Sequence, residues 1–177
     1  MAISHVANIA YRIIDSTHNK LYIIMEHCGG GDLSDIIKHA KKKNNDFIDE
    51  DLIWRIFSQI LIALRYCHCK KPNPILHRDI KPANVFIGQN NNVKLGDFGL
   101  SKVLCNDSRY AYTNVGTPYY MSPEQINEEK YNHKSDIWSL GCIIYETAAL
   151  KPPFKAENYL SLAMKIKEGK FDRIPSH

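Results

Sequence analysis

Between His77 and Phe86 the chain reads His-Arg-Asp-Ile-Lys-Pro-Ala-Asn-Val-Phe, and a further acid follows in the triplet Asp97-Phe98-Gly99. A carboxylate at Asp79 is joined by an ammonium two residues on (Lys81), an amide three further (Asn84) and a second carboxylate 18 residues after the first (Asp97). Together these supply a proton acceptor, a point positive charge and two hard oxygen donors. Phosphoryl transfer needs that set. It asks a protein to position a hydroxyl, to surround a moving phosphate with positive charge and to hold a divalent cation through oxygens, with little covalent work. A solvated polar loop would be rich in the same residue types, yet nothing would keep four of them at these offsets.

The offsets match a protein-kinase catalytic loop and its metal-binding triplet, and the stretch resembles that family. The resemblance makes Asp79 the acceptor of the hydroxyl proton, Lys81 the charge on the γ-phosphate, and Asn84 and Asp97 the magnesium ligands. It continues at Gly116-Thr117-Pro118-Tyr119-Tyr120-Met121-Ser122-Pro123-Glu124, similar to the end of an activation segment with Ser-Pro-Glu in place of the commoner Ala-Pro-Glu. Ser135-Asp136-Ile137-Trp138-Ser139-Leu140-Gly141-Cys142 matches the start of the helix that anchors the catalytic lobe. Lys81 with Thr117 looks like a serine/threonine kinase and unlike a tyrosine kinase. The activation-segment wording, Pro82 to Phe86, and Met25-Glu26-His27-Cys28-Gly29-Gly30-Gly31-Asp32-Leu33 resemble the NIMA-related kinases, over about residue 12 to the C-terminus.

That resemblance implies an α+β, protein-kinase-like bilobal fold, with ATP and magnesium as cofactors and serine or threonine hydroxyls of proteins as acceptors. Met25 would be the gatekeeper behind the adenine, the Glu26 carbonyl and Cys28 backbone would bond its edge, Phe86 would be its floor, and Asp32 would lie near the ribose. From the residues alone, only the apolar character of Met25 and Phe86 is visible, and either could be plain core. Thr117 is expected to bond near Asp79 and Lys81. His77 and Phe98 are expected to pack together, which makes His77 structural rather than a proton shuttle. Asp136, an acid at the start of a buried helix, needs hydrogen-bond partners, and the catalytic-loop backbone can supply them. Thr113, four residues before Thr117, is the expected activating phosphosite ahead of Ser108 and Tyr112, with Arg78 as its partner. Family likeness also implies a cytoplasmic or nuclear setting, with centrosome or microtubule association.

No glycine precedes Gly29, no lysine precedes Lys20, and the first glutamate is Glu26. The glycine-rich loop, strand lysine and helix glutamate of the family therefore have no candidates. Beyond the helical stretch near the C-terminus the sequence offers no arginine partner for Glu124. The chain reads as a kinase domain cut at both ends: an N-lobe remnant at 1–25, a hinge at 26–31 and an incomplete C-lobe at 32–177. Residues 1–11 fit the pattern poorly, which a wrong starting exon explains better than a divergent start. If the chain were the whole product, the alternative would be a catalytically inactive binding or scaffold module.

The remaining sequence bounds the class. With 177 residues, 44% hydrophobic and 24% charged, the chain can bury one sizeable core. The net charge of +4 is modest, and Lys41-Lys42-Lys43, without interleaved aromatics, reads as a solvated loop rather than a nucleic-acid patch. No apolar run approaches the roughly 20 residues that span a bilayer, and no basic-then-apolar leader opens the chain. Neither a nucleic-acid nor a membrane partner is expected, and oligomeric state stays open. Five cysteines without framework spacing suit a reducing compartment. Cys67-His68-Cys69 lacks a second ligand pair, so helix packing is preferred to zinc.

Leu21 to Met25, β-branched and aromatic, predicts a buried strand. A helix is predicted from Asp32, a polar loop over Lys41 to Asp46, and a long helix opened by Asp49-Glu50-Asp51 and ended by Pro72 and Pro74. Val85-Phe86-Ile87 and Val93-Lys94-Leu95 predict a hairpin with Asn84 before one strand and Asp97 after the other. Ser135 to Leu150 predicts a helix buried on all sides.

Overall fold

Ile53, Ile56, Ile60, Ala63, Leu64 and Cys67 recur at helical steps, so one face of a helix carries them into the core. The computed structural model describes residues 5–6, 9–15, 17–43, 47–98, 102–103 and 118–175. Its strands are β1 (Ile9–Asp15), β2 (Lys20–Met25), β3 (Ile75–Leu76), β4 (Val85–Ile87), β5 (Val93–Leu95) and β6 (Lys102–Val103). Its α-helices are α1 (Leu33–Lys42), α2 (Glu50–His68), α3 (Pro123–Ile126), α4 (His133–Ala149) and α5 (Tyr159–Glu168). Three antiparallel pairs, β1–β2, β3–β6 and β4–β5, account for the strands. The periodic face of α2 packs with Leu33 and Ile37 of α1, Val85 and Ile87 of β4, Val93 and Leu95 of β5, and Leu140 and Ile143 of α4 in one core. A second cluster joins Cys142 of α4 to Phe154, Leu162 and Ile166.

Three expectations change. β2 is a strand, but all six of its residues are exposed rather than buried. Its composition identifies a strand without saying how many faces are covered, and among the described residues its partner strand is β1 alone. Helix α1 continues through Lys42, past the predicted start of the loop, because Ala40 is buried and His39, Lys41 and Lys42 suit the negative end of the helix dipole. Helix α4 is buried along most of its length, yet Ile137 and Gly141 face outward.

The hinge is laced to β4. Gly30 N–H donates to the Ile87 carbonyl (2.8 Å) and Ile87 N–H donates to the Gly31 carbonyl (2.9 Å). A Cβ on Gly30 would lie 2.7 Å from that Ile87 oxygen, and Gly31 sits at φ +73°, so both positions need glycine. Asp32 then caps α1, its side chain accepting from Asp35 N–H at 3.1 Å.

Asp136, in the first turn of α4, is fully buried. Its Oδ2 accepts from His68 Nε2–H at 2.7 Å and from His77 N–H at 3.1 Å. Its Oδ1 accepts from Arg78 N–H at 3.1 Å and from the Tyr131 hydroxyl. Burial pushes this carboxyl's pKa up, but the four donors outweigh it and hold the group below 3.8. The predicted backbone bonds are present, with two side chains added to them. His77 is likewise buried: Asp79 N–H donates to its Nδ1 (3.3 Å), so Nε2 carries the proton given to the Gly96 carbonyl (2.9 Å). Burial lowers its pKa from 6.5, which keeps the ring neutral. It packs on Phe98 as expected, with ring centroids 4.6 Å apart.

Two stability predictions follow from these contacts. In Asp136→Asn, an NH2 group would face donors, which should cost about 2–4 kcal/mol at neutral pH by denaturant unfolding. A folded-state pKa below 3.8 means Asp136 contributes fully above that value and loses its contribution as pH falls through the lower folded value, so the variant should show a flatter acid limb. Unchanged unfolding midpoints would contradict the anchor. Gly30→Ala should destabilise by about 1–3 kcal/mol through overpacking against Ile87. Gly29→Ala, whose Cβ meets nothing closer than 3.7 Å, should be near neutral in the same melts.

Candidate active site

Val85, Ile87, Val93 and Leu95 are all buried, and their pairing sets the hairpin register as Val85–Leu95 and Ile87–Val93. The pairing runs one step past the strands, where Gly96 N–H donates to the Asn84 carbonyl (3.0 Å). Asn84 and Asp97, 13 residues apart in sequence, thereby end up at the same open end of the hairpin. A 3-10 turn over Pro82–Asn84 leads into β4, with proline in its first turn where its missing N–H costs nothing.

The catalytic-loop side chains converge on Asp79. Lys81 Nζ donates to Asp79 Oδ2 at 2.7 Å, and Asn84 Nδ2 donates to the same oxygen at 3.0 Å and to the Asp79 carbonyl at 2.7 Å. Asn84 is buried, whereas the Lys81 side chain is 40% exposed. Arg78 (φ +72°) and Asp97 (φ +57°) hold left-handed backbone. Each such residue costs about 1–3 kcal/mol and persists only where its surroundings over-determine it. At Arg78 the Asp136 anchor does this.

The donor set fits magnesium. With Nδ2 of Asn84 committed to Asp79, the amide presents its oxygen as the remaining donor, and Asp97 adds a carboxylate. Magnesium takes one or two protein oxygens and completes its shell with phosphate and water. No cluster of three or more His, Cys, Asp or Glu suited to a metal occurs among the described residues.

At the hinge, Glu26 is gripped by a side chain the sequence did not single out. Lys94 Nζ lies 2.7 Å from one Glu26 carboxylate oxygen and 2.8 Å from the other, and Lys94 is buried. Lys94 stands opposite Phe86 across the hairpin, and Phe86 bridges to Asp32. Glu26 and Asp32 are therefore brought to Phe86 and Lys94, the middle pair of the β4–β5 hairpin. Burial, then the Glu26 charge, raises the Cys28 thiol pKa, so this thiol stays protonated. Met25 is 63% exposed, in keeping with the exposure of the whole of β2 rather than with the buried strand predicted there. Asp32 Oδ1 is engaged by Ser34 and by its helix cap.

Thr117 and Thr113 lie outside the described residues, as do Gly99, Ser108 and Tyr112. Glu124, expected to lack a partner, accepts a hydrogen bond from Ser135 Oγ at the start of α4. Tyr131 and Lys94 escaped notice because they belong to no motif, and His68, weighed only as part of Cys67-His68-Cys69, serves instead as a donor to Asp136. Only alternation gave a signal, in that Lys94 is the one charged residue of a strand flanked by two apolar ones.

The family described as protein kinase domain matches residues 2–175. The probable serine/threonine-protein kinase nek2 of Dictyostelium discoideum is 58% identical over 165 residues, covering 93% of this chain and 39% of its own. Serine/threonine-protein kinase Nek2 of Homo sapiens is 54% identical over 166 residues, covering 93% and 37%. The G2-specific protein kinase nim-1 of Neurospora crassa is 49% identical over 179 residues, covering 88% and 21%. The chain thus spans well under half the length of these relatives. Catalytic-loop geometry, metal donor set and sequence identity agree, and the chain belongs to the protein kinase domain family, among the NIMA-related kinases.

Proposed function

We propose that the protein transfers the γ-phosphate of MgATP to serine or threonine hydroxyls of protein substrates. The observation that carries this reading is the Asp79 carboxylate, held by Lys81 and Asn84 on a loop that Asp136 fixes from below. The relatives' names, serine/threonine-protein kinases, support the serine/threonine acceptor. The inactive-scaffold alternative gains nothing, because Asp79, Lys81, Asn84 and Asp97 are all intact.

Lys81 and Asn84 both occupy Asp79 Oδ2, which leaves Oδ1 to accept the proton of the incoming hydroxyl. As the oxygen of the substrate hydroxyl bonds to the γ-phosphorus and gives its proton to Asp79 Oδ1, the bond to the β-phosphate oxygen breaks and its electron pair leaves with ADP. Lys81, released from Asp79, would follow the phosphoryl group as a point charge. Magnesium, when bound, neutralises phosphate oxygens, and Asn84 and Asp97 would hold it. Glu26, Cys28, Asp32, Met25 and Phe86 would receive the nucleoside. Thr113 would be the activating phosphosite, its phosphate paired bidentately with Arg78, while Thr117 would support Asp79 and Lys81. The relatives named G2-specific support a cell-cycle role, and family likeness supports a cytoplasmic or nuclear setting with centrosome or microtubule association.

Asp79→Asn should lower kcat by about 10²-fold or more, the usual worth of a positioned base. Near-wild-type turnover would sink the assignment. Asp97→Ala should abolish the magnesium dependence of nucleotide binding, measured by titration with and without the metal. Thr113→Ala should lower activity, and phosphopeptide mapping of active enzyme should find Thr113 modified. Full activity with Thr113 unmodified would overturn that part.

A further inference from the structure

Tyr131 lies in the loop between α3 and α4, belongs to none of the catalytic motifs, and is only 9% exposed. Its ring sits beneath the Arg78 guanidinium, whose carbon is 5.6 Å from the ring centroid. Its hydroxyl donates to Asp136 Oδ1, the same oxygen that accepts the Arg78 backbone N–H. One tyrosine therefore touches Arg78 at both ends, directly at the guanidinium and through Asp136 at the backbone.

We infer that Tyr131 is a positioning residue that holds Arg78, and with it the neighbouring catalytic base Asp79, in the conformation used for phosphoryl transfer. The inference rests on the kinase reading of the site. Such a hold matters at Arg78 because its backbone is left-handed, a conformation that persists only where the surroundings over-determine it. A cation over a largely buried aromatic face is held more firmly than at a wet surface. The phenol also stays protonated, since burial and then the Asp136 charge push its pKa far up, so its O–H keeps pointing at the carboxylate. A tyrosine that merely filled space would need neither of these alignments.

The test is a cycle of Tyr131→Phe, Tyr131→Leu and Arg78→Ala in the complete protein, reading kcat, KM for ATP and unfolding midpoint. Phenylalanine keeps the ring and loses the hydroxyl, and leucine loses both. With Arg78 in place, Tyr131→Leu should lower kcat roughly tenfold, the size of a partly desolvated cation–π contact, with KM changed by less than about twofold. Phenylalanine should recover most of that loss. In the Arg78→Ala background the advantage of phenylalanine over leucine should vanish, because the ring then has no cation to hold. Equal kcat for the Phe and Leu variants with Arg78 present, or a Phe advantage that survives Arg78→Ala, would overturn the inference. If the Leu variant unfolds, Tyr131→Met takes its place in the cycle under the same criteria. Asp79→Asn run in parallel separates the two claims. Wild-type turnover in that control would count against the kinase reading itself, whereas loss of turnover there with no Tyr131–Arg78 coupling would count against this inference alone.

Discussion

A single buried carboxylate organises the centre of this molecule. Asp136 is out of contact with water, and an isolated charge there would be severely unfavourable. It is tolerated because four donors converge on it from the end of α2, the catalytic loop and the segment before α4. Two of those donors are the backbone N–H groups of consecutive residues, His77 and Arg78. The carboxylate therefore constrains main chain rather than a mobile side chain, and the left-handed turn at Arg78 is held where the next residue, Asp79, must present its acid.

The rest of the site is assembled around that constraint by ordinary packing. Neutral His77 bridges from the loop to Gly96 and packs at a tilt against Phe98, which ties the loop to the segment carrying Asp97. The β4–β5 hairpin brings Asn84 to the same end, and Asn84 in turn bonds the Asp79 carboxylate. Core residues of α1, α2 and α4 close over the buried side of the hairpin. The polar groups that would meet phosphate and metal stay on its open side. Electrostatic preorganisation of this kind does most of its work before a substrate arrives, since the dipoles need not reorient during reaction.

Much of this was legible in the residues, because the chemistry imposes fixed offsets. Asp79, Lys81, Asn84 and Asp97 can be read without a structure, and so can the hairpin that joins the last two. The buried acid of α4 was legible for a different reason: a charge inside an apolar run demands partners. What could not be read depended on three-dimensional neighbours. The exposure of Leu21 to Met25 turns on which layers cover a strand, a property absent from its composition. Glu124 found Ser135, and Glu26 found Lys94, through contacts that no spacing rule announces. Tyr131 reads as one more aromatic until its ring is seen against Arg78.

The claim that Asp136 pins the catalytic loop is tested most directly by amide hydrogen exchange at His77 and Arg78. If the carboxylate holds both N–H groups, these amides should exchange only as slowly as the α2 core opens, at the most protected level of the molecule. In Asp136→Asn they should exchange fast while the α2 amides remain protected. Rapid exchange of His77 and Arg78 in the wild-type protein, or unchanged protection in the variant, would contradict the account.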